Sequence, residues 1–205
     1  MKIGLINTAA ANIFSVSKAI ERIGCSPIVI DSPAELKRVR KLILPGVGHF
    51  KTGMKKLSSD DWFEAIAAFT SHESNYVLGI CLGMQMLFEG SDESPQTQGL
   101  SLVRGRFQSM AKQTPLKVPH VGWTGIDDTN RTNELLRGVN NSDRFYFLHS
   151  YYLPANSDTS IARSVYGDIT FSSAIYNGGN IFGTQFHPEK SRASGEKILK
   201  NFQTL

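Results

Sequence analysis

The sequence predicts an α/β fold: a mostly parallel central sheet flanked by helices, with a β-rich second half. Three observations predict it. In the first half of the chain, short apolar runs alternate with segments of helical period. Further on, short strand-like runs are joined by turn residues such as Asn177-Gly178-Gly179-Asn180. Between these regions Tyr76-Val77-Leu78 leads straight into Gly79-Ile80-Cys81-Leu82-Gly83, which reads as a strand, a sharp turn and a helix.

Lys2 to Asn7 is the first strand. Asn12 suits the cap of a helix whose apolar face is Val16, Ala19, Ile20 and Ile23, and Gly24 closes it. Ile28 to Ile30 and Lys41 to Leu44 read as the next strands. Asp60 or Asp61 opens a helix through Phe63, Ile66 and Phe69. Tyr76 to Ile80 is the strand before the elbow. Gln96 to Pro119, with its Gly and Pro residues, reads as short alternating strands. Phe145 to Leu148, Ile161 to Val165 and Phe171 to Tyr176 are strands, and Ser191 or Ser194 starts a last helix through Ile198, Leu199 and Phe202. No repeat, low-complexity tract or linker interrupts the chain, so residues 1–205 are taken as a single domain. In such a sheet, catalytic groups are expected at the carboxyl ends of the strands.

Composition narrows the function. Hydrophobic residues make up 40% and charged residues 20%, an ordinary globular balance with enough apolar side chains for a core. Basic residues cluster at Lys37-Arg38, Arg40-Lys41, Lys51, Lys55-Lys56, Lys190 and Arg192. Aromatics are not interleaved with them, so no nucleic-acid module is read. They form a solvated basic face or meet an acidic or phosphate-bearing partner. No apolar run is long enough to span a membrane, and no signal peptide is read before the first strand. The two cysteines, Cys25 and Cys81, give no disulfide framework if one is catalytic, and a free thiol fits a reducing cytoplasm. Cys25, in a helix-to-strand turn, reads as structural. The histidines show no close helical pairing, so neither a metal nor another cofactor is expected.

Three motifs carry chemistry. Cys81 sits at the apex of the elbow, where glycines two before and two after it allow the tight crossing of strand and helix. Its thiol is expected to point into solvent, and the positive end of a helix dipole favours the thiolate form there. A buried structural cysteine is the plainer reading of the same stretch. In Phe186-His187-Pro188-Glu189 the proline favours extended backbone before it, which places side chains two apart on one face. Glu189 could then fix the imidazole of His187 while its other nitrogen serves a nucleophile. The apolar strand Leu42-Ile43-Leu44 ends in Pro45-Gly46-Val47-Gly48, whose glycines let backbone N–H groups approach a reacting carbonyl. Alone, that stretch reads more readily as a plain strand-to-loop turn.

In this order the motifs resemble the class I (triad) glutamine amidotransferases, over essentially the whole chain. The resemblance is closest to the branch that serves imidazole glycerol phosphate synthesis in the histidine pathway. Met84 and Val47 separate it from branches serving anthranilate or carbamoyl phosphate synthesis. Pro119-His120-Val121-Gly122-Trp123 and Tyr146-Phe147-Leu148-His149-Ser150-Tyr151 are similar to stretches of the histidine branch. The resemblance implies Cys81 as nucleophile, His187 as general base and acid, and Glu189 as its orienter. It implies an oxyanion hole from backbone at Val47 or Gly48 and at Leu82. Gln85, Glu93 and the backbone around Ser150 and Tyr151 would hold glutamine. It further implies a heterodimer with a (β/α)8-barrel cyclase that uses the ammonia to make imidazole glycerol phosphate and an aminoimidazole carboxamide ribotide. The isolated chain would be a slow glutaminase, gated by a peptide flip at Pro45–Gly48. Asn12, Trp123, Tyr146, Lys190 and Arg192 are the candidate contacts.

Two stretches depart from that pattern. Asn7-Thr8-Ala9-Ala10-Ala11-Asn12 lacks a glycine often found there, and Thr124 stands where asparagine is common. Both bear on the partner, so a paralogous glutaminase feeding another synthase, such as one aminating a cell-surface sugar, stays open. Two further readings are a non-catalytic subunit on the same fold and a cysteine hydrolase of peptides or esters. The intact Cys81, His187 and Glu189 speak against the non-catalytic subunit. Gln85 and Glu93, which suit a small amino-acid substrate, speak against the hydrolase.

Overall fold

A computed structural model describes residues 1–8, 12–58, 61–128 and 133–205. In order the elements are β1 (Lys2–Ile6), α1 (Ile13–Arg22), β2 (Ser26–Ile30), β3 (Lys41–Gly46), α2 (Phe50–Leu57), α3 (Trp62–Thr70), β4 (Tyr76–Cys81) and α4 (Leu82–Leu87). They continue with β5 (Gly90–Ser91), β6 (Arg106–Ser109), β7 (His120–Thr124), β8 (Asp127–Asp128), β9 (Phe145–His149), β10 (Tyr151–Tyr152), β11 (Ser160–Tyr166), β12 (Ile169–Tyr176), β13 (Ile181–Thr184) and α5 (Arg192–Thr204). The main sheet runs β2-β1-β3-β4-β13-β12-β11-β8. From β2 to β13 neighbouring strands are parallel, and the remaining ones add on antiparallel. β7 and β9 pair separately as an antiparallel ribbon.

Both faces of the sheet are covered, which is why its central strands can be apolar throughout. Val16 and Ile20 of α1, with Ile198 and Phe202 of α5, pack with Ile3, Leu5 and Ile43. Met54 of α2, Ile66 of α3 and Met86 of α4 pack with Ile6, Leu42 and Leu44 in a second core. Every residue of β3 is buried.

Local expectations are met at several points. Asn12 caps α1, its side chain accepting from the Ser15 N–H at 3.2 Å. Gly24 adopts φ +80°, and Asn177–Asn180 joins β12 to β13. Others are corrected. The stretch 96–119 contains only β6 and a 3-10 turn as regular structure, because its backbone groups bond across to the elbow helix and its following loop, as in Leu100 N to Met86 O at 2.8 Å. Asp61 precedes α3 with φ 60° and no side-chain cap, and Asp60 and Ala9–Ala11 lie outside the described residues. Ser191 sits at the start of α5 but its hydroxyl bonds elsewhere. Helix α2 escaped the sequence reading, although Phe50, Gly53, Met54 and Leu57 bury one face at helical spacing. Lys41 is no part of a solvated basic face. It is 6% exposed, its ammonium lies 4.5 Å from the Tyr76 ring centroid, and burial pushes its pKa down.

Candidate active site

The site forms where β3, β4 and β13 end together. Gly46 pairs with Cys81, and Thr184 with Ile80, so the segments after β3 and β13 are delivered to the elbow. Cys81 ends β4 with φ 52° and ψ −104°, a strained conformation for a residue with a Cβ. The turn exists because its neighbours are glycines. A Cβ on Gly83 would overlap the Leu44 carbonyl oxygen, and one on Gly79 would lie 2.7 Å from the backbone of Met84. Contrary to expectation, the thiol does not point into solvent: Cys81 is 7% exposed. Its Sγ lies 3.6 Å from the Leu148 carbonyl and 3.9 Å from Gln185 Nε2. The cause is β9, which closes over the elbow.

The histidine segment is anchored from three sides. Phe186 is wholly buried, with its ring centroid 4.3 Å from Phe145 and 5.7 Å from Phe147. The His187 N–H donates to the Tyr146 carbonyl at 2.9 Å. Ser191 ties the two segments together, donating to the His187 carbonyl at 2.6 Å and accepting from the Tyr146 N–H at 3.0 Å. His187 itself is extended, but Pro188–Lys190 is a 3-10 turn. The contact foreseen from an extended strand therefore arises through a turn. His187 Nδ1 and Glu189 Oε1 are 2.8 Å apart, both side chains at 2% exposure or less. The carboxylate can only accept, so Nδ1 carries the hydrogen and Nε2 is left for chemistry. Nε2 is buried and has no hydrogen-bond partner among the described residues. Burial, the largest influence, would lower the His187 pKa, but the interactions with Cys81 and then with Glu189 together outweigh it and raise it to about 10.

Cys81 and His187 line one cavity of about 200 Å³, together with Val47, Gly48 and Leu82. Gln85, Glu93, Ser150 and Tyr151 line it too. Leu82 is the first residue of α4, so its N–H has no intrahelical acceptor. Gly48 has φ +97°, open to glycine alone without strain. Gln85 Nε2 donates to Glu93 Oε2 at 3.0 Å and to Ser91 Oγ at 2.7 Å, and Glu93 also accepts from the Phe50 N–H at 3.1 Å. That carboxylate faces the cavity at the start of α2. Sequence reading missed Gln185, Pro119, Leu148 and His149 as lining residues. The signal for Gln185 was adjacency: it lies two residues before His187. A larger open cleft of about 570 Å³ lies between 33–40 and α3, and neither Cys81 nor His187 lines it.

With cysteine, histidine and carboxylate assembled at an elbow beside a small polar cavity, comparison with known proteins is decisive. The model of the family "Glutamine amidotransferase class-I" matches residues 5–204. The chain belongs to the class I glutamine amidotransferases. It is 44% identical to the imidazole glycerol phosphate synthase subunit HisH of Geobacillus kaustophilus, covering 98% of this chain and 95% of that protein. It is 38% identical to HisH 1 of Campylobacter jejuni, covering 99% of this chain and 100% of that protein. Among solved structures, PurLQS from Thermotoga maritima superposes with a TM-score of 0.76 at 17% identity, covering 99% of this chain and 97% of that one, which shows the shared fold.

The outer candidates lie apart from the cavity floor. Trp123 of β7 pairs with Tyr146 of β9, and Val121 with Leu148, on the outward face of the ribbon. Lys190 Nζ lies 5.7 Å from the Tyr146 ring and the Arg192 guanidinium 5.3 Å from Trp123. Asn12 is exposed at the start of α1. Among the described residues, no helix is long and apolar enough to cross a membrane.

Proposed function

We propose that this chain is the glutaminase subunit of an imidazole glycerol phosphate synthase. It hydrolyses glutamine and passes the ammonia to a (β/α)8-barrel cyclase in a heterodimer. The observation that carries the chemistry is one cavity holding Cys81 at a strained elbow and His187 locked by Glu189. The names of its relatives support the pathway.

In this reading Cys81 thiolate attacks the amide carbon of glutamine. Backbone N–H groups at Gly48 and Leu82 hold the oxyanion. The imidazolium of His187, favoured by its raised pKa, gives its proton to the departing ammonia. The now neutral ring takes a proton from water as it attacks the thioester, and glutamate leaves. Glu93 and Gln85 face the ammonium of the substrate, and the backbone at Ser150–Tyr151 its carboxylate. Ammonia is protonated in bulk water and loses its nucleophilicity, so a sealed partner contact follows from the chemistry. The apolar row Val121, Trp123 and Leu148, with Tyr146, Lys190 and Arg192 beside it, is the proposed contact. Exposed Asn12 belongs to the same proposal through the resemblance. The free thiols support the reducing cytoplasm as the compartment.

The test is a steady-state glutaminase assay on the purified chain, with and without the barrel partner and its acceptor. Slow hydrolysis alone, accelerated by the loaded barrel, is expected. Full activity of the isolated chain overturns the gating at Pro45–Gly48. Activation only by a sugar-aminating synthase overturns the pathway while keeping the glutaminase.

A further inference from the structure

The described histidines of the ribbon take no part in the mechanism above, yet they form a continuous chain. His149 Nδ1 lies 2.9 Å from the Tyr151 carbonyl oxygen. His149 Nε2 lies 3.1 Å from His120 Nδ1. His120 Nε2 lies 3.1 Å from Thr124 Oγ1. Each hydrogen can be assigned from one end. A carbonyl oxygen only accepts, so His149 Nδ1 carries a hydrogen. With that ring neutral, Nε2 accepts, and His120 Nδ1 must donate to it. Neutral His120 then accepts at Nε2, and the Thr124 hydroxyl donates. The direction cannot reverse, because the Tyr151 carbonyl has no hydrogen to give there.

The surroundings enforce this state. The His120 ring stacks on Tyr166 at 4.3 Å and on Phe147 at 5.2 Å, and His149 meets Phe171 at 5.0 Å. Both histidines are under a tenth exposed. Burial drives the pKa of His120 down to about 4. For His149 burial is again the largest cause, partly opposed by the Tyr151 carbonyl, and the value falls to about 3. With His120 donating from Nδ1, a proton on His149 Nε2 would set two N–H groups against each other at the 3.1 Å contact.

We propose that Thr124 and His120 are positioning residues: through His149 they fix the backbone at Ser150–Tyr151 and so couple the outward strand β7 to the glutamine-holding edge of the cavity. The proposal rests on the glutaminase reading for its effect on substrate. His149, Ser150 and Tyr151 line the cavity, whereas Trp123 and Val121 alternate with His120 and Thr124 along β7 and face outward. A shift of β7 against whatever docks on Trp123 thus moves the donor that starts the chain. The substitution of threonine for the common asparagine is neutral in this respect, since a side-chain amide also donates.

The test uses Thr124→Val, which keeps shape and removes the donor, beside Thr124→Ser and Thr124→Asn, which keep it. Losing one such link should raise glutamine KM about tenfold, with a smaller change in kcat. Serine and asparagine should restore the wild-type KM. Nitrogen-15 NMR of the histidine rings, read without substrate, should show both His120 and His149 protonated at Nδ1 in the wild type and His120 altered in Thr124→Val. An unchanged KM and unchanged tautomers in Thr124→Val overturn the proposal, as does equal damage from all three substitutions. A wild-type chain without glutaminase activity, with or without its partner, would overturn the functional reading instead, while the tautomers still decide the chain.

Discussion

His187 and the pair His120–His149 are all buried, and burial penalises the charged ring in each case. The outcomes are opposite. Beside the elbow, Cys81 and then Glu189 outweigh the loss of water and raise the pKa of His187. In the ribbon, the neighbours are aromatic rings, a carbonyl and another imidazole, and both histidines stay neutral. The residue type is the same, and the sign is set by what replaces water around it. The charged histidine is suited to giving a proton. The neutral pair is suited to holding geometry, because a neutral imidazole is both donor and acceptor.

The largest effect should come from removing the nucleophile. Cys81→Ala should lower glutaminase turnover by on the order of a millionfold, the scale seen for triad nucleophiles. It also removes the group that raises the His187 pKa most, so the pKa of that ring, followed by NMR, should fall. A substantial residual rate would remove Cys81 from the mechanism.

Glu189→Gln should cost less, on the order of ten-thousandfold, because the orienter makes and breaks no substrate bond. Turnover measured with the partner present checks this. An unaffected variant would show that the 2.8 Å contact does not orient the ring.

Stability against pH should show both environments at once. The folded pKa of His187 is raised from 6.5 to about 10, so its contribution is full below 6.5 and is lost as pH rises toward 10. For His120 and His149 the folded values fall from 6.5 to about 4 and about 3. Their contribution is present above 6.5 and is lost as pH falls through that window, where the unfolded chain binds protons and the native one does not. Melting temperatures across the range from about 4 to about 10 set by those values should decline at both ends. Cys81→Ala should flatten the alkaline limb, and His120→Gln the acid limb. A variant that leaves its limb unchanged would break the comparison at that histidine.

The smallest effect concerns the ribbon's outer face. Trp123→Ala should weaken partner binding by about 1–3 kcal/mol, the range of an aromatic anchor, without changing the slow hydrolysis of the isolated chain. Titration calorimetry against the barrel checks it. An unchanged affinity would move the contact elsewhere.

The proposed triad was legible because each member sits in a local pattern with a mechanical cause. Glycines around Cys81 permit the elbow, and His187 and Glu189 stand two positions apart. Gln85 and Glu93 were singled out through resemblance, and the structure places both on the cavity, 3.0 Å apart. Helix α2 was hidden because Gly53 and three lysines mask a face that only packing reveals. The stretch 96–119 misled because only Arg106–Ser109 of it forms a strand, pairing with β5 and β10, while residues such as Leu100 bond to the elbow helix instead.

By itself, then, the sequence determined the alternation that builds the parallel sheet, the glycine-bounded elbow and which residues are proposed as nucleophile, base and orienter. These depend on near neighbours, whose sterics and periodicity are written locally. Tertiary structure alone decided that the thiol is covered by β9, that Gln185 reaches it, and that Lys41 is buried against Tyr76. It also decided which histidines are charged. The groups that set those pKa values arrive from strands far apart in sequence, and Coulomb and desolvation energies depend on distance in space, which no local pattern records.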